Sequence, residues 1–179
     1  MSDQFQRLPI LKGNLVTLRP LRPEDWDEMF AVASDPLIWE VHPERHRYEE
    51  RIFRIFFDGA LECGSAFSIL ENESNRIIGS SRYFGHDRAR DEIEIGWTFL
   101  ARRFWGGAYN REIKQLMLDY AFGIVGTVVF WVGESNARSR RAMEKIGGVL
   151  REETRVRDYT SGPCTHVVYE IRKPQAETA

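Results

Sequence analysis

The residues with the most chemical content lie between Arg102 and Tyr109, in the run Arg-Arg-Phe-Trp-Gly-Gly-Ala-Tyr. An apolar strand pattern, Glu92–Phe99, runs into it and an amphipathic helix pattern leaves it. That order builds an anion site. The first N–H groups of a helix lack intrahelical acceptors and sit at the positive end of its dipole. Glycines at 106 and 107 let a phosphate approach this backbone, and Arg102 and Arg103 add charge beside it. The same glycines also suit a plain tight turn. A second basic cluster, Arg138-Ser139-Arg140-Arg141, follows Asn136, a residue type that caps helix starts. It reads either as a solvated helix face or as a second phosphate contact.

Other constellations are weaker. The sequence has no GxxxxGK[ST], so a P-loop lacks its lysine and its Mg²⁺-binding hydroxyl, and no GxGxxG follows the first strand. His42 and His46 have a metal-ligand spacing, but Pro43 intervenes and no third ligand is fixed nearby; no metal is expected. Cys164 and His166 share one strand face, too close for a nucleophile and a separate base, and read as an ordinary strand pair. Cys63 and Cys164 form neither a disulfide scaffold nor a CxxC motif.

The elements that must position these residues follow from apolar periods that alternate between two and about 3.6. Leu15–Arg19 predicts a first strand, and Pro23-Glu24-Asp25 opens a helix in which Trp26, Met29, Phe30 and Ala33 share a face. Tyr48–Leu61 predicts a second helix, with Ile52, Phe53, Phe56, Phe57 and Ala60 inward. Ser65–Leu70, Arg76–Phe84 and Glu92–Phe99 form an antiparallel meander. The helix after the glycines turns Ile113, Leu116, Met117, Tyr120 and Ala121 to the core, and Val128–Val132 is a strand covered on both faces. Asn136–Ile146 predicts a last helix, closed by Gly147-Gly148, before a hairpin of Val149–Val156 and His166–Ile171. The order predicts a mixed, mostly antiparallel α/β (α+β) sheet of six to seven strands flanked by about four helices.

With 179 residues, 25 Lys+Arg against 27 Asp+Glu and 42% hydrophobic residues, the chain suits one domain over residues 1–179, its core at about 15–171. Met1–Gly13 and Lys173–Ala179 read as polar tails. The balanced charge gives no general drive toward nucleic acid, and no apolar run reaches the ~18 residues of a membrane helix. With Met1–Ile10 too polar for a signal peptide, a cytoplasmic protein is expected.

Arg103-x-x-Gly106-x-Ala108 resembles the Q/R-x-x-G-x-G/A motif of the GNAT acyl-CoA N-acyltransferases. Glu94-Ile95-Gly96-Trp97 before it, Glu112 after it, Asp119-Tyr120-Ala121-Phe122, and Asn136-x-x-Ser139 with Met143-Glu144-Lys145-Ile146-Gly147 are similar in order and spacing, as are Leu18-Arg19-Pro20-Leu21 and Asp25. The pattern covers Leu15 to Ile171 and is most similar to the ribosomal-protein-alanine N-terminal acetyltransferases and their small-molecule relatives. Three positions depart from it: Ala108 replaces the commoner glycine, Asn110 and Arg111 stand where small residues are usual, and Gly148 replaces a phenylalanine.

The resemblance implies a sheet splayed between the fourth and fifth strands, with acetyl-CoA as cosubstrate in the gap. Its pyrophosphate would lie on the N–H groups of Arg103, Phe104, Trp105, Gly106, Gly107, Ala108 and Tyr109, and its pantetheine along Thr98, Phe99 and Leu100 like an added strand. Asn136 would bond the pantetheine arm or the backbone around it, Ser139 would protonate the leaving thiolate, and Arg138, Arg141 or Lys145 would meet the adenosine-end phosphates. Glu94, on one strand face with Glu92 and Gly96, is the first choice of base for the ammonium proton, acting through water, with Glu92 second; a paired or solvated carboxylate is the other reading of Glu94. The first two helices and their link would roof the acceptor site, with His42 and His46 as loop histidines near it and some of Trp39, Tyr83 and Trp97 lining it. The expected activity is transfer of acetyl to a primary amine, of a protein N-terminus or a small molecule, with a CoA-binding sensor without turnover as the alternative and a homodimer as a family habit.

Overall fold

Val16 and Leu18 alternate with more polar neighbours and are fully buried, as a strand with one covered face requires. They belong to β2 (Val16–Pro20) in a computed structural model that describes residues 4–175. The other strands are β1 (Leu11–Lys12), β3 (Ala66–Glu71), β4 (Ile77–Asp87), β5 (Glu92–Leu100), β6 (Thr127–Gly133), β7 (Val149–Tyr159) and β8 (Gly162–Arg172). The helices are α1 (Trp26–Ala33), α2 (Glu50–Cys63), α3 (Ala108–Phe122) and α4 (Ala137–Lys145). All eight strands form one sheet, ordered β1-β2-β3-β4-β5-β6-β8-β7. Every neighbouring pair is antiparallel except β5 and β6, which run parallel.

The eighth strand lies in a region that reads as a tail. β1 makes only two residue pairs with β2, too short to leave a period in the sequence. Residues 4–13 are therefore not a plain polar tail, because Phe5 is also buried, its ring 4.8 Å from that of Tyr83. Residues 1–3 and 176–179 lie outside the described part.

The two sheet faces are covered by different helices. α1 and α2 bury Met29, Ala33, Phe53 and Phe57 with Trp39, Leu70 and Phe99. α3 buries Ile113, Met117 and Ala121 against Leu18, Ile69, Ile93 and Phe130. Asp25 ties α1 to the sheet. It accepts from Arg19 (2.6 and 2.7 Å), from the Ser68 hydroxyl (2.6 Å) and from the Arg22 N–H (3.0 Å). Burial alone would raise its pKa, but these bonds outweigh burial and hold it below the usual range. Among the described residues no helix is long and apolar enough to cross a membrane.

The parallel joint positions the site. β5 and β6 pair only through Glu92↔Thr127, Ile93↔Val128 and Glu94↔Val129, and then diverge. Within the same stretch the register of β4 against β5 shifts between Ser80 and Arg82, and Trp97 has φ +52°. Such a bulge bends a strand and re-aims its side chains.

Candidate functional site

The divergence of β5 and β6 opens a cleft with two adjoining compartments that share His42, Thr98, Asn110, Asn136, Ser139 and Ala142. The outer one, about 330 Å³, is lined by Thr98–Leu100, Trp105–Gly107, Arg111, Arg138, Arg141 and Lys145. The inner one, about 160 Å³, is lined by Gly96, Trp97, Lys114, Phe130–Gly133, Arg157 and His166. A broader open depression of about 730 Å³ lies between α1 and Arg102-Arg103, but neither loop glycine lines it, so the cleft is the better candidate.

The glycine loop is shorter than its sequence suggests. Residues Arg102–Phe104 form a 3₁₀ turn in which the N–H groups of Phe104 and Trp105 donate to Ala101 O (2.9 Å) and Arg102 O (3.0 Å). The open backbone therefore begins at Gly106, whose φ of +74° suits glycine, and continues into the start of α3. Arg102 and Arg103 turn away from the cleft, contrary to expectation. Arg102 Nε pairs with Asp35 at 2.5 Å, while Arg103 lies 4.0 Å from Glu71 and 4.6 Å from the Phe104 ring. Phe104 is buried, and the Tyr109 hydroxyl reaches Glu71 at 3.2 Å.

Cations from α3 and α4 line the outer compartment in their place: Arg111, Arg138, Arg141 and Lys145. Arg138 is fixed 3.9 Å over the Trp105 ring and donates to Ile38 O at 3.2 Å. Arg140 bonds Tyr169 and Glu134 instead and is not among the lining residues. Asn136 lines the cleft and caps α4, its Oδ1 accepting from the Ser139 N–H at 3.1 Å, a bond to the surrounding backbone. At position 148 a Cβ would lie 3.0 Å from Met143 O, a tight contact that a larger residue could make only if the end of α4 gave by a few tenths of an ångström.

Thr98, Phe99, Leu100, Trp105, Gly106, Gly107, Asn136, Ser139 and Arg141 thus line the cleft, whereas Arg103, Phe104, Ala108, Tyr109 and Glu94 do not. Glu94 lies behind the inner wall, 3% exposed, with both oxygens 2.8 and 2.9 Å from Arg157 Nη2. Burial pushes its pKa up to about 6, against the opposing pull of Arg157. A Cβ at Gly96 would come 2.9 Å from Glu94 Oε1, so the glycine makes room for the carboxylate.

Lys114 is the residue that sequence reading missed. It is buried, donates from Nζ to Thr98 Oγ1 at 2.6 Å, and Thr98 Oγ1 in turn bonds Ser81 Oγ at 2.7 Å. Burial brings its pKa down to about 7. The signal was present: position 114 lies three and seven residues before Met117 and Ala121, on the core stripe of α3.

Of the paired histidines, His42 lines both compartments while His46 is exposed and meets Glu49 at 3.0 Å. Burial first, and Arg47 second, hold His42 well below its ordinary pKa. His166 is buried, its Nδ1 2.9 Å from Cys164 O and its Nε2 2.9 Å from the Tyr159 hydroxyl, so it bonds the carbonyl and not the thiol of Cys164. The α1–α2 link closes over the cleft: Trp39 packs 5.2 Å from Phe99, and Glu44 accepts from the backbone and hydroxyl of Thr160 in the β7–β8 turn.

The Acetyltransferase (GNAT) domain family matches residues 16–149. The chain belongs to this family. An uncharacterized N-acetyltransferase, p20, of Bacillus licheniformis is 31% identical over 112 residues, which are 60% of this chain and 62% of that protein, so the match spans less than two thirds of the relative. A GNAT-family acetyltransferase from Bacillus anthracis shares the fold at TM-score 0.74 and 21% identity, over 92% of this chain and 98% of that one. A GCN5-related N-acetyltransferase from Brucella melitensis does so at TM-score 0.74 and 21% identity, over 92% and 78%. A candidate ribosomal-protein-serine acetyltransferase from Vibrio cholerae does so at TM-score 0.71 and 13% identity, over 92% and 97%. The eight-stranded, mostly antiparallel sheet with its splayed parallel joint is the GNAT fold in this chain.

Proposed function

We propose that this GNAT chain is a single-domain enzyme that transfers acetyl from acetyl-CoA to a primary amine by direct attack. The observation that carries the reading is the cleft itself: a splayed strand pair running into Gly106-Gly107 and a helix start, rimmed by four cationic side chains. Free backbone N–H groups at Gly106, Gly107 and the start of α3 would hold the pyrophosphate, and Arg111, Arg138, Arg141 and Lys145 the remaining phosphates. Thr98, Phe99 and Leu100 would present strand backbone to the pantetheine arm.

Transfer forms a C–N bond as the C–S bond breaks; the ammonium proton leaves to a base and the thiolate gains one from an acid. Glu94, ionised above about pH 6, takes the first proton through an intervening water. Ser139, which lines both compartments, supplies the second. The branch similarity supports a protein N-terminus as well as small amines as acceptors, and cytoplasmic localisation goes with this reading.

A panel of amines and N-terminal peptides with acetyl-CoA, read by thiol release, tests it. Transfer that collapses in Glu94→Gln supports the reading, and a blank across both groups sinks it. One observation favours a second reading, a CoA-binding sensor without turnover: Arg157 spans both oxygens of Glu94. Tight CoA binding with no transfer selects the sensor.

A further inference from the structure

Among the described residues no Asp or Glu lines the inner compartment, whereas Lys114 and Arg157 do. An acceptor rich in ammonium groups would meet cations there with no counter-charge facing it. Glu94, behind the wall, is bonded through Arg157 Nη2, and the Tyr159 hydroxyl also bonds the Arg157 side chain, so Nε and Nη1 of that guanidinium bond no carboxylate among the described residues. The group is held by two indoles, 3.9 Å from Trp97 and 4.7 Å from Trp131. A fixed, planar pair of donors matches a carboxylate or phosphate edge.

Two further arginines stand behind it. Arg82 lies 3.8 Å from the Trp97 ring and 5.8 Å from that of Phe56, and Arg47 lies 4.7 Å from Phe56. They are 8% and 6% exposed, and neither pairs with a carboxylate among the described residues: Arg82 meets the Cys63 sulfur at 4.0 Å and Arg47 the His42 ring at 3.3 Å. Among the described residues, Arg82 Nε and Glu44 Oε1 are buried side-chain atoms with no hydrogen-bond partner. Burying guanidinium groups is costly unless an anion opposes them. Three arginines against Glu94 and the Thr160-bound Glu44 leave a positive excess around this chamber.

We propose that the acceptor amine carries an anionic group, a carboxylate or a phosphate, and that the Arg157 guanidinium receives it. This rests on the acetyl-transfer reading above. The incoming anion balances the excess that Glu94 and Glu44 leave among Arg47, Arg82 and Arg157, and the chamber selects amino-acid-like or phosphorylated amines over polyamines and basic peptides.

The test compares acceptors that differ only in the acid group. L-leucine is set against L-leucinamide, and O-phosphoethanolamine against ethanolamine, with spermidine as the cationic probe. Each is followed by thiol release with acetyl-CoA, and by calorimetric titration into CoA-saturated protein. The acid member of at least one pair is expected to win by tenfold or more in kcat/KM or affinity, and which pair wins separates carboxylate from phosphate. Arg82→Gln is expected to cut that ratio below threefold, as is Arg157→Lys, which keeps a charge beside Glu94 but loses the planar fork. A preference for leucinamide, ethanolamine or spermidine overturns the proposal and leaves acetyl transfer standing. Acid-selective binding without transfer to any amine keeps the anion site and overturns the transfer reading. Equal binding of both members of each pair, without transfer, overturns both.

Discussion

The two compartments of the cleft are both cationic, yet they are built on opposite principles. In the outer one Arg141 and Lys145 are exposed, their charges are hydrated, and the helix starts beside them do most of the orienting. In the inner one Lys114 and Arg157, with Glu94 behind the wall, are withdrawn from water, and two of the three have pKa values moved by burial. The difference teaches where specificity can reside. Solvated charge attracts any polyphosphate and is weakened by salt, whereas desolvated charge discriminates, because an unmatched partner there has no water to fall back on.

That contrast predicts effects of very different size. The largest belongs to Glu94→Gln, expected to lower kcat by about 10²–10⁴ as a lost general base does, in steady-state thiol release. A residual rate within a few fold of wild type would remove Glu94 from the reaction. Next comes pH. The carboxylate pKa is raised, so the working base form gains population as pH climbs through about 6; kcat/KM is expected to rise to a plateau above that value, and Glu94→Gln to flatten the limb.

Lys114→Met probes the inner compartment through stability. The native pKa is depressed to about 7 from 10.5, so between those values the unfolded chain binds more protons than the native one and stability climbs with pH. Thermal unfolding of Lys114→Met should show a higher midpoint than wild type near pH 6, the gap narrowing by pH 10. A gap that widens with pH would contradict a lowered lysine pKa. For the outer compartment, Arg141→Ala with Lys145→Ala is expected to raise the KM for acetyl-CoA by about 5- to 20-fold, with kcat nearly intact and the penalty shrinking in high salt. Smallest of all is Arg102→Ala, which breaks a surface pair with Asp35 outside the cleft and should change that KM less than about twofold.

The same contrast explains what could be read in advance. The outer compartment was legible because its parts are local: a strand, two glycines and a helix start are contiguous, and a cap residue announces α4. Helix faces and the meander were legible too, since Met29, Phe53 and Ile113 recur at helical spacing. The side-chain directions of Arg102 and Arg103 were not, because Asp35 and Glu71, which capture them, come from distant segments. The inner compartment joins Glu94, Lys114 and Arg157 across three elements, and no spacing records such a meeting. Trp97 defeats strict alternation for the same reason, since a positive φ inside a strand leaves no trace in hydropathy. Phe5 was hidden by its polar neighbours.

The three-pair parallel joint has a mechanical side. It makes the sheet two stiff leaves, β1–β5 and β6–β8, fastened at a narrow spine and cross-braced by Arg151–Glu92 (3.0 Å) and Arg157–Glu94 (2.8 Å). From Val129 to Gly133 the free part of β6 is a lever of about 13 Å at ~3.3 Å per residue, so a tilt of about 5° at the spine moves its tip by roughly 1 Å. Aperture is thereby geared to a few bonds far from the mouth. A ligand wedged between the leaves works against that spine, its braces and the Glu44–Thr160 and Arg138–Ile38 bonds that also link them, while the antiparallel ladders on either side stay shut.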